Sequence, residues 1–345
     1  MTDGFDDEMF DTAAVEAGAW VPGPYGPGDQ RGTLNEVTPE KTAQALAQLD
    51  LTRPVHTYSL GETLVEGFPA WGDRVYEQRL VVTGYQPGEG FEGVVTDPRP
   101  QGPGRSSVNE ERVSTTYNMA TKINGLQHVG VADMFYNGFR GPDIARTWGT
   151  TALGVETVGP VVTRGVVVDV AGLKAEAGGA GGSGSNDVVL APSGRPMLRE
   201  HYRITVEDIE AALARQGVAE PIGPGDVVVL NTGWRELLAA DPERYLNGGP
   251  PGPYLRECRW LAARRPAIVA SDSWCFEVID PAVTAGHLMP CHQELSTRFG
   301  IRIGEAVPSH ELIADGIHEF VFCFNPLKAR GAVAGNAPPL ALAQS

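Results

Sequence analysis

Residues 161–170, Val-Val-Thr-Arg-Gly-Val-Val-Val-Asp-Val, form an almost unbroken β-branched run. Such a run has no polar face to turn to water. It is the pattern of a strand covered on both sides. A second run, Asp226 to Thr232, repeats it and ends at Gly233-Trp234. Helical segments surround these strands. Thr205 caps a helix to Gln216, with Glu207 and Asp208 in its first turn and Gly217 past its end. Thr38, Pro39 and Glu40 open another to Leu49, with Thr42, Ala45, Leu46 and Leu49 on one face. Tyr254 to Arg264 and Pro290 to Phe299 predict two more helices. Val75 to Thr83, Ile268 to Ser271 and Glu319 to Phe324 predict further strands. Strands and helices intermix without strict alternation, so the expected fold is α/β with a mixed sheet, not a doubly wound one.

The 345 residues suffice for one large core. Residues 1–27 are acidic and rich in Gly and Pro, and predict a partly ordered arm before a single domain over 28–345. Residues 84–112 carry many Gly, Pro and Arg without a period, and predict a long loop. The Gly/Ser-rich stretch near 177–187 predicts a flexible surface insertion.

Net charge is −16, which argues against nucleic acid or an anionic membrane as partner. No apolar run approaches the ~18 residues of a membrane span. The acidic start, Met1-Thr2-Asp3-Gly4-Phe5-Asp6-Asp7-Glu8, is unlike a signal peptide, so the expected location is the cytoplasm. Cys258, Cys275, Cys291 and Cys323 are widely spaced and read as free thiols.

No P-loop, no dinucleotide fingerprint, no G-x-S-x-G elbow and no H-E-x-x-H is present. Three polar clusters remain. One is Asn124 to Gly138, where Gln127, His128, Asp133 and Tyr136 stand among Gly, Val, Ala, Met and Phe. Another is Asp272-Ser273-Trp274-Cys275-Phe276-Glu277, which follows a predicted strand. The third is Cys291-His292-Gln293 with Gly304-Glu305.

Several segments, in order, resemble the cyclase family, which includes bacterial kynurenine formamidase and isatin hydrolase. They are Gly28-Asp29-Gln30-Arg31-Gly32-Thr33-Leu34-Asn35 with Thr38-Pro39-Glu40-Lys41, then Thr163 to Asp169, and Gly225 to Trp234. Ser271-Asp272-Ser273-Trp274 follows, with Glu277 at an acidic position, then His292 with Gly300-Ile301 and Glu305, and finally Pro326 to Ala334. The resemblance covers about residues 28 to 342 and implies a barrel-like core with surrounding helices. It also implies a homodimer or homotetramer acting on a small molecule. In that family, a segment His-x-Gly-Thr-His/Gln-x-Asp-x-x-x-His supplies ligands to zinc or manganese. Here Ile123 takes the first histidine's place, Leu126 the threonine's, Val129 the aspartate's and Asp133 the last histidine's; Gln127 is kept.

One histidine and one carboxylate fall short of the three protein ligands usual for catalytic zinc. The expectation is therefore an enzyme without a cofactor that works by general acid–base catalysis on a small cyclic or carbonyl-rich metabolite, such as one of secondary metabolism. Ring opening or closing, dehydration and isomerisation fit such a set. Asp133 and His292 are expected to face each other across the former metal cavity, with Glu305 and His128 beside them. Gln127 and Tyr136 are the candidates to hydrogen-bond a substrate carbonyl, and Phe135, Trp234 and Trp274 to form an aromatic wall. Two alternatives stay open: an amide or lactam hydrolase with one zinc or manganese on relocated ligands, and a non-catalytic small-molecule binding protein.

Overall fold

A computed structural model describes residues 4–177 and 186–344. Its centre is a nine-stranded mixed sheet. In chain order the strands are β1 (His56–Ser59), β2 (Lys122–Asn124), β3 (Val161–Asp169), β4 (Val227–Asn231), β5 (Ile268–Ser271), β6 (Arg302–Glu305), β7 (Glu319–Phe324), β8 (Ala334–Gly335) and β9 (Leu340–Ala343). Their spatial order is β1-β9-β7-β3-β4-β5-β6-β2-β8. Strands β3 to β6 run parallel, and antiparallel strands extend the sheet on both sides. The sheet curls into a half-barrel with helices around it.

Both faces are covered, which explains the unbroken apolar runs. In β4, Val228 and Leu230 enter one core with Val168, Val269 and Ile303. Helices Val206–Arg215 and Leu255–Ala262 close that face. Val227 and Val229 enter the opposite core with Val167, Ile268, Phe320 and Phe322. Because side chains alternate across a strand, each residue from Val227 to Leu230 needs an apolar environment. Replacing fully buried Leu230 by Ala is expected to cost about 2–5 kcal/mol in urea unfolding.

The helix after Thr205 has the reciprocal Thr205–Asp208 capping box that its sequence announces. The first predicted helix is Pro39–Leu46, capped by Thr38, and only Ala45 of its expected apolar face is buried.

Residues 84–112 are not a long loop. Val94–Asp97 and Val108–Thr115 join Tyr76–Thr83 in a three-stranded sheet. Seven of the eight residues of Val108–Thr115 are exposed, so backbone pairing rather than burial holds this ribbon. A reading of hydrophobic period therefore misses it.

The N-terminal arm is tied down. Asp6 and Asp7 pair with Arg259 and Arg203, and Phe5 and Met9 pack on the core. The expected insertion near 177–187 lies largely outside the described residues. Among those described, no helix is long and apolar enough to cross a membrane. The four cysteines carry no disulfide.

Candidate active site

Four parallel strands end together, at Asp169, Asn231, Ser271 and Glu305. The edge where β5, β6 and β2 finish gathers the buried titratable groups. Glu305 closes β6, and Lys122 stands opposite it on β2, in register. Paired residues on adjacent strands share a face. The Lys122 ammonium accordingly lies 2.9 Å from Glu305 Oε2, with both side chains nearly inaccessible. Asn124, two residues along, donates from Nδ2 to the same oxygen at 3.2 Å. The backbone N–H of Phe276 donates to Oε1 at 3.3 Å.

His292 completes the cluster. It ends a short helical turn, Pro290–His292, that continues as a π-helix over Gln293–Arg298. Such π turns are frequent at functional sites. Glu277 anchors the entry. Its Oε2 accepts from the N–H of Cys291 at 3.0 Å, and its Oε1 from the N–H of His292 at 3.2 Å. The same Oε1 meets His292 Nδ1 at 2.5 Å. This contact places a proton on Nδ1 and turns Nε2 toward Glu305 Oε1, 3.3 Å away. Nε2 is buried, and among the described residues Glu305 is the polar group it faces.

The electrostatics follow from these contacts. Burial alone pulls the His292 pKa down, but the hydrogen bonds and charges of Glu277 and Glu305 win and raise it to about 9. Burial pushes Glu305 up, yet Lys122 and His292 hold it well below the usual carboxylate range. The buried set thus places Lys122 and His292 against Glu277 and Glu305. His128 differs. Its ring stands edge-on to His292 with centroids 6.5 Å apart, and Asn118 Nδ2 lies 2.7 Å from its Nε2. Although it keeps some exposure, burial and then the charge of His292 lower its pKa to about 3, so it is neutral.

The structure brings together His292, Glu305 and His128 of the expected catalytic set, but not Asp133. Asp133 lies at the surface with half its side chain exposed, and pairs with Arg140 at 2.6 Å. The turn Val131–Met134, closed by reciprocal backbone hydrogen bonds, buries Val131 and Met134 and leaves Asp133 outside. Asp133→Asn is therefore expected to change stability by less than about 0.5 kcal/mol in urea unfolding.

Three expected substrate contacts are committed elsewhere. Tyr136 is fully buried and donates to Asp29 at 2.8 Å, which ties the N-terminal arm to the body. Gln127 is buried and donates to the Ala332 carbonyl. Trp234 is core, its indole N–H bonded to the Tyr245 carbonyl. Phe135 packs beside Leu126 and Tyr136. Asp272 braces the turn after β4, accepting from the N–H groups of Thr232 and Gly233. Burial lifts its pKa to about 6 against those bonds.

Trp274 does line a small cavity, of about 10 Å3, together with Lys122, Arg74, Trp71, Phe68 and Tyr245. A larger hollow of about 60 Å3 sits at the ends of β3 and β4. Its arginines are already paired, Arg195 with Glu236 and Arg235 with Glu62. His292 and Glu305 line neither hollow, and the one on Lys122 is the better candidate because Lys122 is ion-paired with Glu305 of the buried cluster. The sequence reading did not name Lys122 or Arg74, and named Glu277 only within a polar cluster and at the family's acidic position.

The Cyclase family model matches residues 49–278. This chain belongs to the Cyclase family. The Cyclase fold extends past that match to the segment with His292 and Glu305. The crystal structure of a novel cyclase is 26% identical, with 93% of this chain and 98% of that one covered and a TM-score of 0.73. Isatin hydrolase A from Labrenzia aggregata is 18% identical, covering 88% of this chain and 99% of its own, at a TM-score of 0.58. Isatin hydrolase A from Ralstonia solanacearum is also 18% identical, over 89% and 98%, at 0.57. These last two likenesses concern the fold. No curated protein matches the chain. Membership supports an enzyme of hydrolase or cyclase type.

The resemblance of this Cyclase chain implied a divalent metal, and the residues present fit one poorly. Ile123, at the first ligand position, pairs with Gly304 and packs in the core on the face of β2 away from Glu305. A Cβ on Gly304 would meet Ile123 Cδ1 at 2.8 Å, so the two share that face. Val129 offers no donor atom, and Asp133 is at the surface. The retained carboxylate, Glu305, already neutralises Lys122. Among the described residues no three His, Cys, Asp or Glu side chains are arranged to hold a metal ion.

Proposed function

We propose that this protein is an acid–base enzyme of the Cyclase family in which the Lys122 ammonium supplies the positive charge that a metal ion would provide. Its substrate is a small cyclic or carbonyl-rich molecule. The observation that carries this reading is the buried ion pair of Lys122 and Glu305 beside His292, whose Nε2 faces the same carboxylate at 3.3 Å. An ammonium held in a buried site stabilises a developing oxyanion or enolate without reorganising at the moment of reaction. Lys122 lines the cavity, so donors left over from Glu305 are available to a substrate oxygen.

His292 moves the proton. Its raised pKa makes it an imidazolium at neutral pH, able to give the Nε2 proton to a carbonyl or leaving oxygen. Once neutral, the same nitrogen takes a proton back from carbon or water. Glu277 keeps the ring oriented through Nδ1 and stabilises the charged form. Glu305 is held by Lys122, Asn124 and the Phe276 N–H, which favours an electrostatic role over that of a mobile base. Opening or closing of an activated ring, dehydration and isomerisation suit this set.

A panel of lactones, cyclic imides and enolisable ketones, followed by proton NMR in the presence of a chelator, tests the reading. Turnover should survive the chelator and fall at least about a hundredfold in His292→Gln. Turnover that requires added zinc or manganese, or that persists in His292→Gln, would overturn it. Saturable binding without turnover across the panel would favour a binding protein.

A further inference from the structure

We infer that the cleft between the helices Val206–Arg215 and Leu255–Ala262 is a second ligand site, and that it takes a small aliphatic monocarboxylate. It shares no wall residue with the hollow on Lys122, so the inference stands apart from the acid–base reading. Its polar end is Arg264, just past the second helix. The Arg264 guanidinium stacks on Trp260, its carbon 3.3 Å from the ring centroid. Nη1 donates to the Trp260 carbonyl at 2.9 Å. Together these contacts set the plane of the fork before any ligand arrives. Among the described residues no carboxylate lies within ion-pairing distance of Arg264, and its Nε and Nη2 make no hydrogen bond. Burial lowers its pKa, and the charge of Glu210 offsets that only in part. A half-buried guanidinium with one edge of its fork open is matched by the two oxygens of a carboxylate.

The walls choose the rest of the ligand. Leu213, Ala214, Val218, Pro221 and Ile222 line the cleft and carry no polar side-chain atom. Trp260 is its one aromatic wall, and Arg264 already stacks on that ring. Such a surface favours a hydrocarbon chain over a flat ring, and each methylene it buries adds about 0.8 kcal/mol. The indole N–H of Trp260 is buried and has no acceptor among the described residues. A buried donor of this kind calls for an acceptor, and a ligand oxygen supplies one without displacing a protein contact. Glu210 and Glu220 stand exposed beside the cleft. Their charge disfavours a polyanion and leaves a single carboxylate as the better fit. The volume of about 270 Å3 lies near the lower bound of the roughly 300–1,000 Å3 of ordinary small-molecule sites.

The test uses the full chain, with octanoate, octanamide and acetate as probes and calorimetry as the readout. Octanoate should bind saturably at a single site. Octanamide lacks the charge and acetate lacks the chain, so each should bind at least about tenfold more weakly. Arg264→Gln should abolish the preference for octanoate over octanamide, while Arg264→Lys should keep part of it. Ala214 is exposed on the cleft wall, so Ala214→Glu should fill the cleft with like charge and weaken octanoate at least about tenfold. Both positions are accessible, and the variants should unfold in urea at the native midpoint, which separates lost binding from lost structure. Equal binding of octanoate and octanamide, an octanoate affinity unchanged in Arg264→Gln or in Ala214→Glu, or no octanoate binding at millimolar concentration would overturn the inference. His292→Gln should bind octanoate as the native chain does. Loss of octanoate binding in that variant would place the acid in the buried charge cluster instead and would equally overturn it.

Discussion

Replacing Lys122 by methionine is expected to destabilise the protein by about 3–5 kcal/mol in urea unfolding. The size follows from what remains behind. Glu305 keeps Asn124, the Phe276 N–H and His292, but loses the cation at 2.9 Å that compensates its burial. An uncompensated carboxylate in a dry interior is far more costly than an absent pair. The double variant Lys122→Met with Glu305→Gln should therefore recover most of the loss. That non-additivity separates an electrostatic pair from two independent packing defects, which would add. Turnover, where a substrate is in hand, should stay low in the double variant, because stability is restored and the oxyanion donor is not.

Glu277→Gln should bring the His292 pKa down from about 9 toward and below its ordinary 6.5, followed by carbon-13 NMR of labelled histidine. An amide keeps a hydrogen bond to Nδ1 but removes the negative charge that favours the imidazolium, so burial then prevails. The sign of the pH effect follows from linkage. A folded-state pKa above the unfolded value adds stability that is fully present below pH 6.5 and is lost as pH rises through about 9. The native protein should thus weaken across that alkaline window, and Glu277→Gln should weaken less there. Activity that needs the protonated ring should be level through neutrality and fall above about 9 in the native enzyme. In Glu277→Gln the falling limb should move to lower pH. A limb unmoved by the substitution would remove Glu277 as the positioning residue.

Much of this architecture was legible in the chain. The β-branched run at 161–168 and the valines at 227–229 announced strands covered on both faces, because a doubly buried strand tolerates such a run. Thr205 announced its helix through a local capping box. The exposed ribbon of Tyr76–Thr83, Val94–Asp97 and Val108–Thr115 was illegible, since pairing without burial leaves no hydrophobic period. For the candidate site, His292 and Glu305, which the structure brings together, were named through the order of the family segments. Asp133 was chosen by aligned position, which carries no information on exposure. Lys122 escaped because side-chain direction on a three-residue strand depends on register with β6, and only Glu305 opposite it reveals the face. The same alternation turns Ile123 into the core. The change at Ile123 is therefore a packing substitution on one face, and the charge chemistry lies at its neighbours, Lys122 and Asn124.

The most direct test of the central claim is elemental analysis of full-length protein purified without chelator, incubated with zinc or manganese and then dialysed. If the Lys122 ammonium holds the place of a metal ion, neither metal should remain in stoichiometric amount, and the native His292 pKa near 9 should be unchanged by the treatment. One equivalent of metal retained by the native chain and lost in His292→Gln would contradict the account.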